Sequence, residues 1–203
     1  MKLTWKSIAL LVITFSADIF ALTDSNPYIS IDAQAQEMVQ VIRDNQDLYA
    51  SDPELFKNQI NFIFEPMVDF RRVGASVMGK KYYLAATKEQ RLKFIDAFKK
   101  SLLDTYSSTL SQWGDQQIET IFPENPILGK TVDVNQNLVT SNNIYPIRYK
   151  VRNDGTGNWL IINIVVNGVN LGLTFRNQFQ ALAEVHNDNI DEIINHWTAD
   201  VGL

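Results

Sequence analysis

The sequence predicts an α+β fold, in which an N-terminal layer of helices packs on a C-terminal antiparallel sheet of about four strands. Residues 32–113 place apolar side chains at helical spacing, whereas residues 118–152 change to the period of two that is typical of strands. Residues 159–166 are apolar at every position except Asn163, which indicates a strand covered on both faces. In a small soluble domain one face of this strand can meet helices, and the other must then meet a second layer or an apolar cavity.

Capping residues and prolines divide the first half of the chain into helices. A first helix is predicted over residues 32–49. Asp52 followed by Pro53 is a helix start, with an N-cap and a proline at the first helical position. Pro66 is expected to end that helix, and a short helix is predicted around residues 67–77.

The longest helix is predicted to begin at a capping box formed by Thr87 and Gln90. It would extend over about 26 residues, or roughly 39 Å. The apolar side chains on one face of this helix form a stripe that consists of Phe94, Ile95, Phe98, Leu102, Tyr106, Leu110 and Trp113. This stripe could equally be ordinary core or the wall of a ligand cavity.

The second half of the chain is predicted to form strands and two closing helices. Residues 145–152 alternate apolar and basic side chains, which predicts a half-buried strand with a basic outer face. Residues 153–158 form a hairpin connection, and a further strand is expected after the turn at Gly168. The closing helices are predicted over residues 175–185 and 187–201.

The N-terminus predicts a secretory signal peptide over residues 1–21. Two lysines precede an apolar core at residues 8–15, and Ala21 is a plausible last residue before cleavage. An uncleaved anchor is the alternative. No later segment is long and apolar enough to predict a membrane span, so the mature chain, residues 22–203, is expected to be an exported, soluble protein.

Composition and motifs exclude several classes of function. A net charge of −5 argues against nucleic-acid binding, for which a basic surface is expected. The chain has no cysteine, hence no disulfide and no thiolate chemistry. His186 and His196 are not at a ligand spacing, so no metal site is predicted. No nucleophile motif, phosphate loop or paired carboxylates predict a catalyst.

Asp69, Arg71, Arg72 and Arg176 are the most notable charged residues. One interpretation is a structural ion pair with a helix cap. The other is a contact with a phosphate group or a partner, because the planar guanidinium fork offers two parallel donors. The sequence leaves both open.

Two segments, residues 64–106 and 157–179, carry a family resemblance in the order and spacing of their motif residues. The first segment contributes Asp69, Arg71, Gly74, Gly79, Gln90, Arg91, Phe94, Phe98, Leu102 and Tyr106, and the second contributes Gly157, Trp159, Gly168, Val169, Arg176 and Phe179. Together they resemble the signatures of the MlaC family, the toluene-tolerance or Mla-pathway periplasmic phospholipid-binding proteins that act as auxiliary components of an ABC transporter.

The resemblance implies a monomeric periplasmic shuttle of a Gram-negative envelope. It would carry phospholipid between an outer-membrane lipoprotein–porin complex and an inner-membrane ABC transporter with an MCE-domain ring. No catalysis and no cofactor are implied, because phospholipid is the cargo. Residues 22–203 would form one phospholipid-binding domain, or two subdomains, helical over 32–113 and sheet over 116–203.

Candidate residues follow for an apolar lipid slot and for its charged rim. Each slot residue could equally be plain core, and the charged residues could bind a head group or form a structural ion pair. The slot residues are Phe62, Phe70, Val73, Phe94, Phe98, Leu102, Tyr106, Tyr149, Trp159, Ile161, Val169, Leu171, Phe175 and Phe179, and the charged residues are Asp69, Arg71 and Arg176.

Three alternatives remain open. One is an enzyme on a nuclear-transport-factor-like α+β fold, with Asp69 or Tyr106 as acid or base. Another is a carrier of a different apolar molecule, such as an aromatic solvent or a sterol-like ligand. The third is an adaptor without a cavity, for which Val169→Trp would lower stability and leave ligand content unchanged.

Overall fold

The computed structural model describes residues 26–126 and 129–200. The predicted signal peptide lies outside the described residues. Within these ranges the chain forms five helices, then five strands and then two helices, which confirms the α+β class. The elements are α1 Pro27–Asp44, α2 Gln46–Ser51, α3 Pro53–Met67, α4 Phe70–Ala85, α5 Lys88–Ser111, β1 Gln117–Ile121, β2 Thr131–Val139, β3 Ile144–Asn153, β4 Trp159–Val166, β5 Val169–Asn170, α6 Leu171–Val185 and α7 Ile190–Asn195.

The five strands form one antiparallel meander, in which each strand pairs with its neighbour in sequence. The fifth strand lies where a strand was expected after Gly168, but it is only two residues long. It pairs with the end of β4 across a turn in which Asn167 and Gly168 both have positive φ, 47° and 83°. Such a turn matches the twist of an antiparallel pair.

The alternation in β3 and the apolar run in β4 have the predicted consequences. In β3 the apolar Ile147 and Val151 are buried, whereas Arg148 and Lys150 are exposed. No residue of β4 is exposed, which agrees with a strand covered on both faces. At β3 the sheet therefore packs on the helices with one face and presents basic side chains on the other, whereas β4 has no exposed side chain on either face.

The two capping signals of the N-terminal half are confirmed. The Asp52 carboxylate accepts the backbone N–H of Leu55 at 3.0 Å, and Pro53 is the first residue of α3. Thr87 and Gln90 form a reciprocal capping box, with N···O distances of 3.1 and 3.0 Å. The helix that they open, α5, has 24 residues.

Several helix boundaries differ from the predictions, and each has a local cause. The first predicted helix is divided at Asn45, which is the C-cap of α1 and precedes α2. Pro66 lies inside the last turn of α3, which ends one residue later. The predicted short helix continues as α4 to Ala85, across a kink at Gly79 (φ 71°, ψ 166°).

Asparagine caps displace both closing helices. The Asn170 side chain accepts the backbone N–H of Leu173 at 3.1 Å, so α6 begins directly after β5 and the expected longer strand does not form. Asn189 accepts the N–H groups of Asp191 and Glu192, so the last helix is the short α7. An N-cap carboxamide satisfies backbone donors that would otherwise have no partner.

A contact between the helical half and the sheet fixes their relative position. After α3 the chain becomes extended at Val68, which forms an isolated parallel bridge with Ile161 of β4. The backbone N–H of Asp69 donates to the carbonyl oxygen of Ile161 at 3.0 Å. The start of α4 is thereby attached to the most buried strand.

Buried side chains form three clusters. The largest, which we call the aromatic cluster, joins α4, α5, α6 and the segment after α7, and it is built on Phe94, Phe98, Phe175, Phe179 and Trp197. A second cluster lies between α1, α3 and the sheet, and a third joins α1, α3 and α5. None of the helices in the described ranges is long and apolar enough to cross a bilayer.

Candidate functional site

An apolar cavity of about 370 Å³ lies between the helical layer and the sheet. Its walls come from α1, α3, α4, α5, the first turns of α6 and one to three side chains from each of β1–β4. Among the described residues, no Asp, Glu, Lys, Arg or His lines it. A cavity of this size lies within the range of about 300–1,000 Å³ that small-molecule sites occupy.

The structure brings nine of the fourteen predicted slot residues together on this cavity. They come from five different elements, α4, α5, β3, β4 and α6, and their side chains converge because the α5 stripe faces the sheet. The nine are Phe70, Val73, Phe98, Leu102, Tyr106, Tyr149, Ile161, Leu171 and Phe175.

The structure places the other five predicted slot residues away from the cavity. Phe94 and Phe179 are fully buried in the aromatic cluster, with ring centroids 5.1 Å apart. Trp159 is buried in the cluster beneath α1. Phe62 is 78% exposed because it lies on the face of α3 opposite the buried stripe, and Val169 is 39% exposed on β5.

Sequence reasoning missed much of the wall, including the entire contribution of α1. The apolar stripe of α1 was visible as helical periodicity, but nothing in it indicates that the helix faces a cavity instead of packed core. Leu110 and Trp113 belong to the stripe predicted for α5, and the missed residues are Ile31, Ala35, Met38, Val39, Ile42, Ile60, Phe64, Met67, Val68, Leu103, Ile118, Leu138, Ile147, Asn163, Ile164 and Gly172.

Asn163 is the one carboxamide in the wall of the described cavity, and its polar atom is used internally. Its Oδ1 accepts the backbone N–H of Gly172 at 3.2 Å, which attaches the start of α6 to β4. A Cβ atom at Gly172 would lie 2.4 Å from that oxygen. Only glycine therefore allows this approach.

Tyr149 contributes a neutral hydroxyl-bearing ring to the wall. Burial raises the pKa of Tyr149 to about 12, because removing the phenolate from water disfavours its charged form. The phenol therefore stays uncharged at neutral pH. This wall offers a ligand apolar surface and no ionic partner.

The predicted charged residues divide into a structural pair and two exposed arginines. The Asp69 carboxylate caps α4, accepting the N–H of Arg72 at 3.0 Å, and it pairs with the Arg72 guanidinium at 2.9 Å. Arg71 and Arg176 are exposed and, among the described residues, make no ion pair. Arg176 instead lies over the kink at Gly79, where a Cβ would be 3.3 Å from Nη2.

The two histidines, for which the sequence predicted no metal site, lie together in the structure. The rings of His186 and His196 are stacked with centroids 4.4 Å apart, outside the cavity at the ends of α6 and α7.

Comparison with known proteins places the chain in a family. The family model described as "MlaC protein" matches residues 32–199. This chain belongs to the MlaC family. The resemblance carried by the two motif segments is thereby confirmed, because one family model spans both of them.

Relatives from two bacteria are similar over most of their length. The toluene tolerance protein ttg2D of Pseudomonas putida is 32% identical over 194 residues, covering 95% of this chain and 89% of the relative. The intermembrane phospholipid transport system binding protein MlaC of Haemophilus influenzae is 25% identical over 171 residues, covering 82% and 79%.

A solved structure has the same fold as this MlaC-family chain. It is a phospholipid-binding protein from Ralstonia solanacearum in complex with a phospholipid. The TM-score is 0.76 at 19% identity, and the alignment covers 84% of this chain and 93% of the other. At this level of identity the similarity demonstrates the shared helical layer and sheet.

Proposed function

We propose that this protein binds a phospholipid by its acyl chains in the cavity and carries it across the periplasm. The observation that supports this most directly is a cavity of about 370 Å³ with no charged side chain in its described wall. The name of the Haemophilus relative and the ligand of the Ralstonia protein support phospholipid as the cargo.

Hydrophobic burial alone supplies enough binding energy for such cargo. Each methylene transferred from water contributes about 0.8 kcal/mol, so ten buried methylenes contribute about 8 kcal/mol. That corresponds to a dissociation constant of about 1 μM. The charged head group would stay at the surface, since the wall offers it no partner, with Arg71 and Arg176 as its proposed contacts.

The proposal includes the route. The cargo would pass between an outer-membrane lipoprotein–porin complex and an inner-membrane ABC transporter with an MCE-domain ring, with the protein acting as a monomer without a chemical step. Export through the predicted signal peptide would bring it to the periplasm. Membership of the MlaC family supports each of these assignments.

Lipid content of the isolated protein tests the proposal. Protein isolated from the periplasm of a Gram-negative host should show, by native mass spectrometry and lipid extraction, about one diacyl phospholipid per chain. Recovery of an aromatic or sterol-like molecule instead would indicate a different carrier. A protein that is isolated empty and does not take up phospholipid from vesicles would contradict the proposal.

A matched pair of substitutions locates the lipid. Val73 lines the cavity, whereas Val169 is exposed on β5 and does not. Val73→Trp should fill part of the cavity and lower the bound lipid several-fold, whereas Val169→Trp should leave lipid content unchanged. Equal loss in both variants, with both folded by circular dichroism, would place the lipid elsewhere.

A further inference from the structure

The ends of α6 and α7 bring together the only two histidines of the chain. His186 is the C-cap of α6 and His196 is the C-cap of α7. Their rings are nearly parallel, at an interplanar angle of 24° and a centroid distance of 4.4 Å. The chain turns back between them, so residues that are remote as a sequence motif become neighbours.

A carboxylate completes this group. Glu192 precedes His196 by one helical turn, and its carboxylate lies beside the imidazole of that histidine. One ligand atom from each of His186, Glu192 and His196 lies within 4.8 Å of the other two. We propose that these three side chains bind a divalent transition-metal ion, of which Zn²⁺ is the best match, with water in a fourth position.

The donor set agrees with this class of ion. Two imidazole nitrogens and one carboxylate oxygen suit Zn²⁺, whereas Mg²⁺ and Ca²⁺ prefer oxygen ligands alone. The helix ends also favour a cation, because the C-terminus of a helix such as α6 carries partial negative charge.

The hydrogen bonding of His196 prepares it for coordination. Its Nδ1 lies 2.8 Å from the backbone carbonyl oxygen of Glu192. A carbonyl oxygen only accepts, so this contact places the hydrogen on Nδ1 and leaves the lone pair of Nε2 free. Metal-binding histidines commonly use one ring nitrogen in this way to orient the other.

Contacts outside the group hold the turn that juxtaposes the histidines. Asn187 and Asp188 have left-handed φ values of 51° and 61°, which non-glycine residues adopt at a cost. Asp188 is bound to α4 by an ion pair with Lys81 and a hydrogen bond from Tyr82, both at 2.6 Å. The position of the turn therefore does not depend on the metal ligands themselves.

Coordination requires the imidazole rings to turn out of their stacked arrangement, because a ring nitrogen binds a metal ion in the plane of its ring. Nitrogen ligands at about 2.0–2.1 Å from a tetrahedral Zn²⁺ are about 3.3 Å apart, so atoms now within 4.8 Å of one another must approach by up to about 1.5 Å. The side chains of His196 and Glu192 are 54% and 48% exposed, which leaves them room to move.

The test is a titration of the folded, untagged protein with ZnCl₂, since a polyhistidine tag would itself bind the ion. Calorimetry should show one site per chain, and His196→Gln and Glu192→Gln should each weaken binding by at least about 10-fold. Asp191→Asn is the matched control, because this exposed neighbour bonds Gln90 and not the group. MgCl₂ should give no saturable binding.

A measurement on the unsubstituted protein keeps the proposal testable where a variant folds poorly. With two histidines in the chain, their ring signals in NMR spectra are few and assignable. Zn²⁺ should shift both sets together at one equivalent. A shift of one ring alone, undiminished binding in His196→Gln, or no binding by the unsubstituted protein would overturn the site. None of these outcomes changes the expected lipid content. The metal-site proposal can therefore fail while the phospholipid-binding proposal stands, and the reverse.

Discussion

The aromatic cluster and the cavity wall are both apolar, and both are built on the same helix, but only one of them is close-packed. Phe94 of α5 is fully buried among Phe179 and Trp197. One turn later, Phe98 contacts Trp197 and also lines the cavity, and Leu102 lines the cavity without joining the cluster's buried core. One stripe of side chains therefore changes from core to cavity wall along its length, and hydrophobicity does not distinguish the two.

Shortening one side chain in the cluster part of this stripe and one in its cavity part should give the largest difference in the free energy of unfolding. Phe94→Ala should lower the free energy of unfolding by about 3–5 kcal/mol, because it opens a void in a close-packed cluster. Leu102→Ala should lower it by about 2 kcal/mol or less, since empty space already adjoins that side chain. Urea unfolding of lipid-free protein measures both. Equal losses would show that the cavity wall is packed as tightly as the core.

A second test adds a methyl group at Gly172, where the start of α6 lies against β4 in the cavity wall. Gly172→Ala should cost about 1–3 kcal/mol, because the new methyl group would lie 2.4 Å from the Asn163 oxygen. Asn163→Ala in the same chain should recover part of that loss by removing the clashing atom. Additive losses in the double variant, measured by thermal unfolding, would contradict the contact.

The capping box of α5 should affect the stability of the aromatic cluster and of the cavity wall together, because both are built on this helix. Thr87→Ala removes one half of the capping box and should lower the free energy of unfolding by about 1 kcal/mol. Thr109→Ala, at an exposed position of the same helix, is the control and should have little effect. Circular dichroism and tryptophan fluorescence should report one coincident transition. Separate transitions would mean that the cluster and the wall unfold independently.

The smallest expected effect concerns an ion pair between α3 and α5. Glu65 accepts a hydrogen bond from Lys99 at 2.8 Å, which holds the pKa of the Glu65 carboxyl below its ordinary value of 4.5. The stabilisation is therefore complete above about pH 4.5 and is lost as the pH falls through the lower folded-state pKa.

Glu65→Gln should lower the free energy of unfolding by about 0.5 kcal/mol at pH 7, as for other surface pairs. Its stability curve should converge with that of the parent on acidification. The control is Glu89→Gln, which breaks an ion pair within α5 and leaves the contact between α3 and α5 intact. Urea unfolding at pH 7 and pH 3 distinguishes convergence from the parallel curves that would contradict the prediction.

The parts of the fold that were predicted depend on local chemistry. Asp52 and Thr87 each accept a backbone N–H three residues ahead, and such hydrogen bonds are readable from spacing. Asn170 and Asn189 act in the same way, but both were missed. Asn170 lies between Val169 and Leu171, which suggested a continuing strand, and Asn187 offered a cap for an earlier helix start than Asn189.

The parts of the site that were not predicted depend on how elements are rotated against one another. Phe94 and Phe98 are one turn apart on α5, and only their neighbours decide which of them meets the cavity. The same applies to α1, whose periodicity was evident but whose facing surface was not. The proximity of His186 and His196 depends on a turn held by Lys81 of α4, a tertiary contact with no local signature.

The bridge between Val68 and Ile161 has a consequence for the order of folding. The meander joins strands that are adjacent in sequence and can form early, whereas this bridge closes a loop that spans nearly half of the chain. Long-range closure carries a larger entropic cost and slows folding. Helices α1–α5 precede the sheet in sequence and can pack on one another, but the strand that bridges to Val68 is β4. The empty space between helices and sheet is therefore enclosed late, when the chain already has its secondary structure.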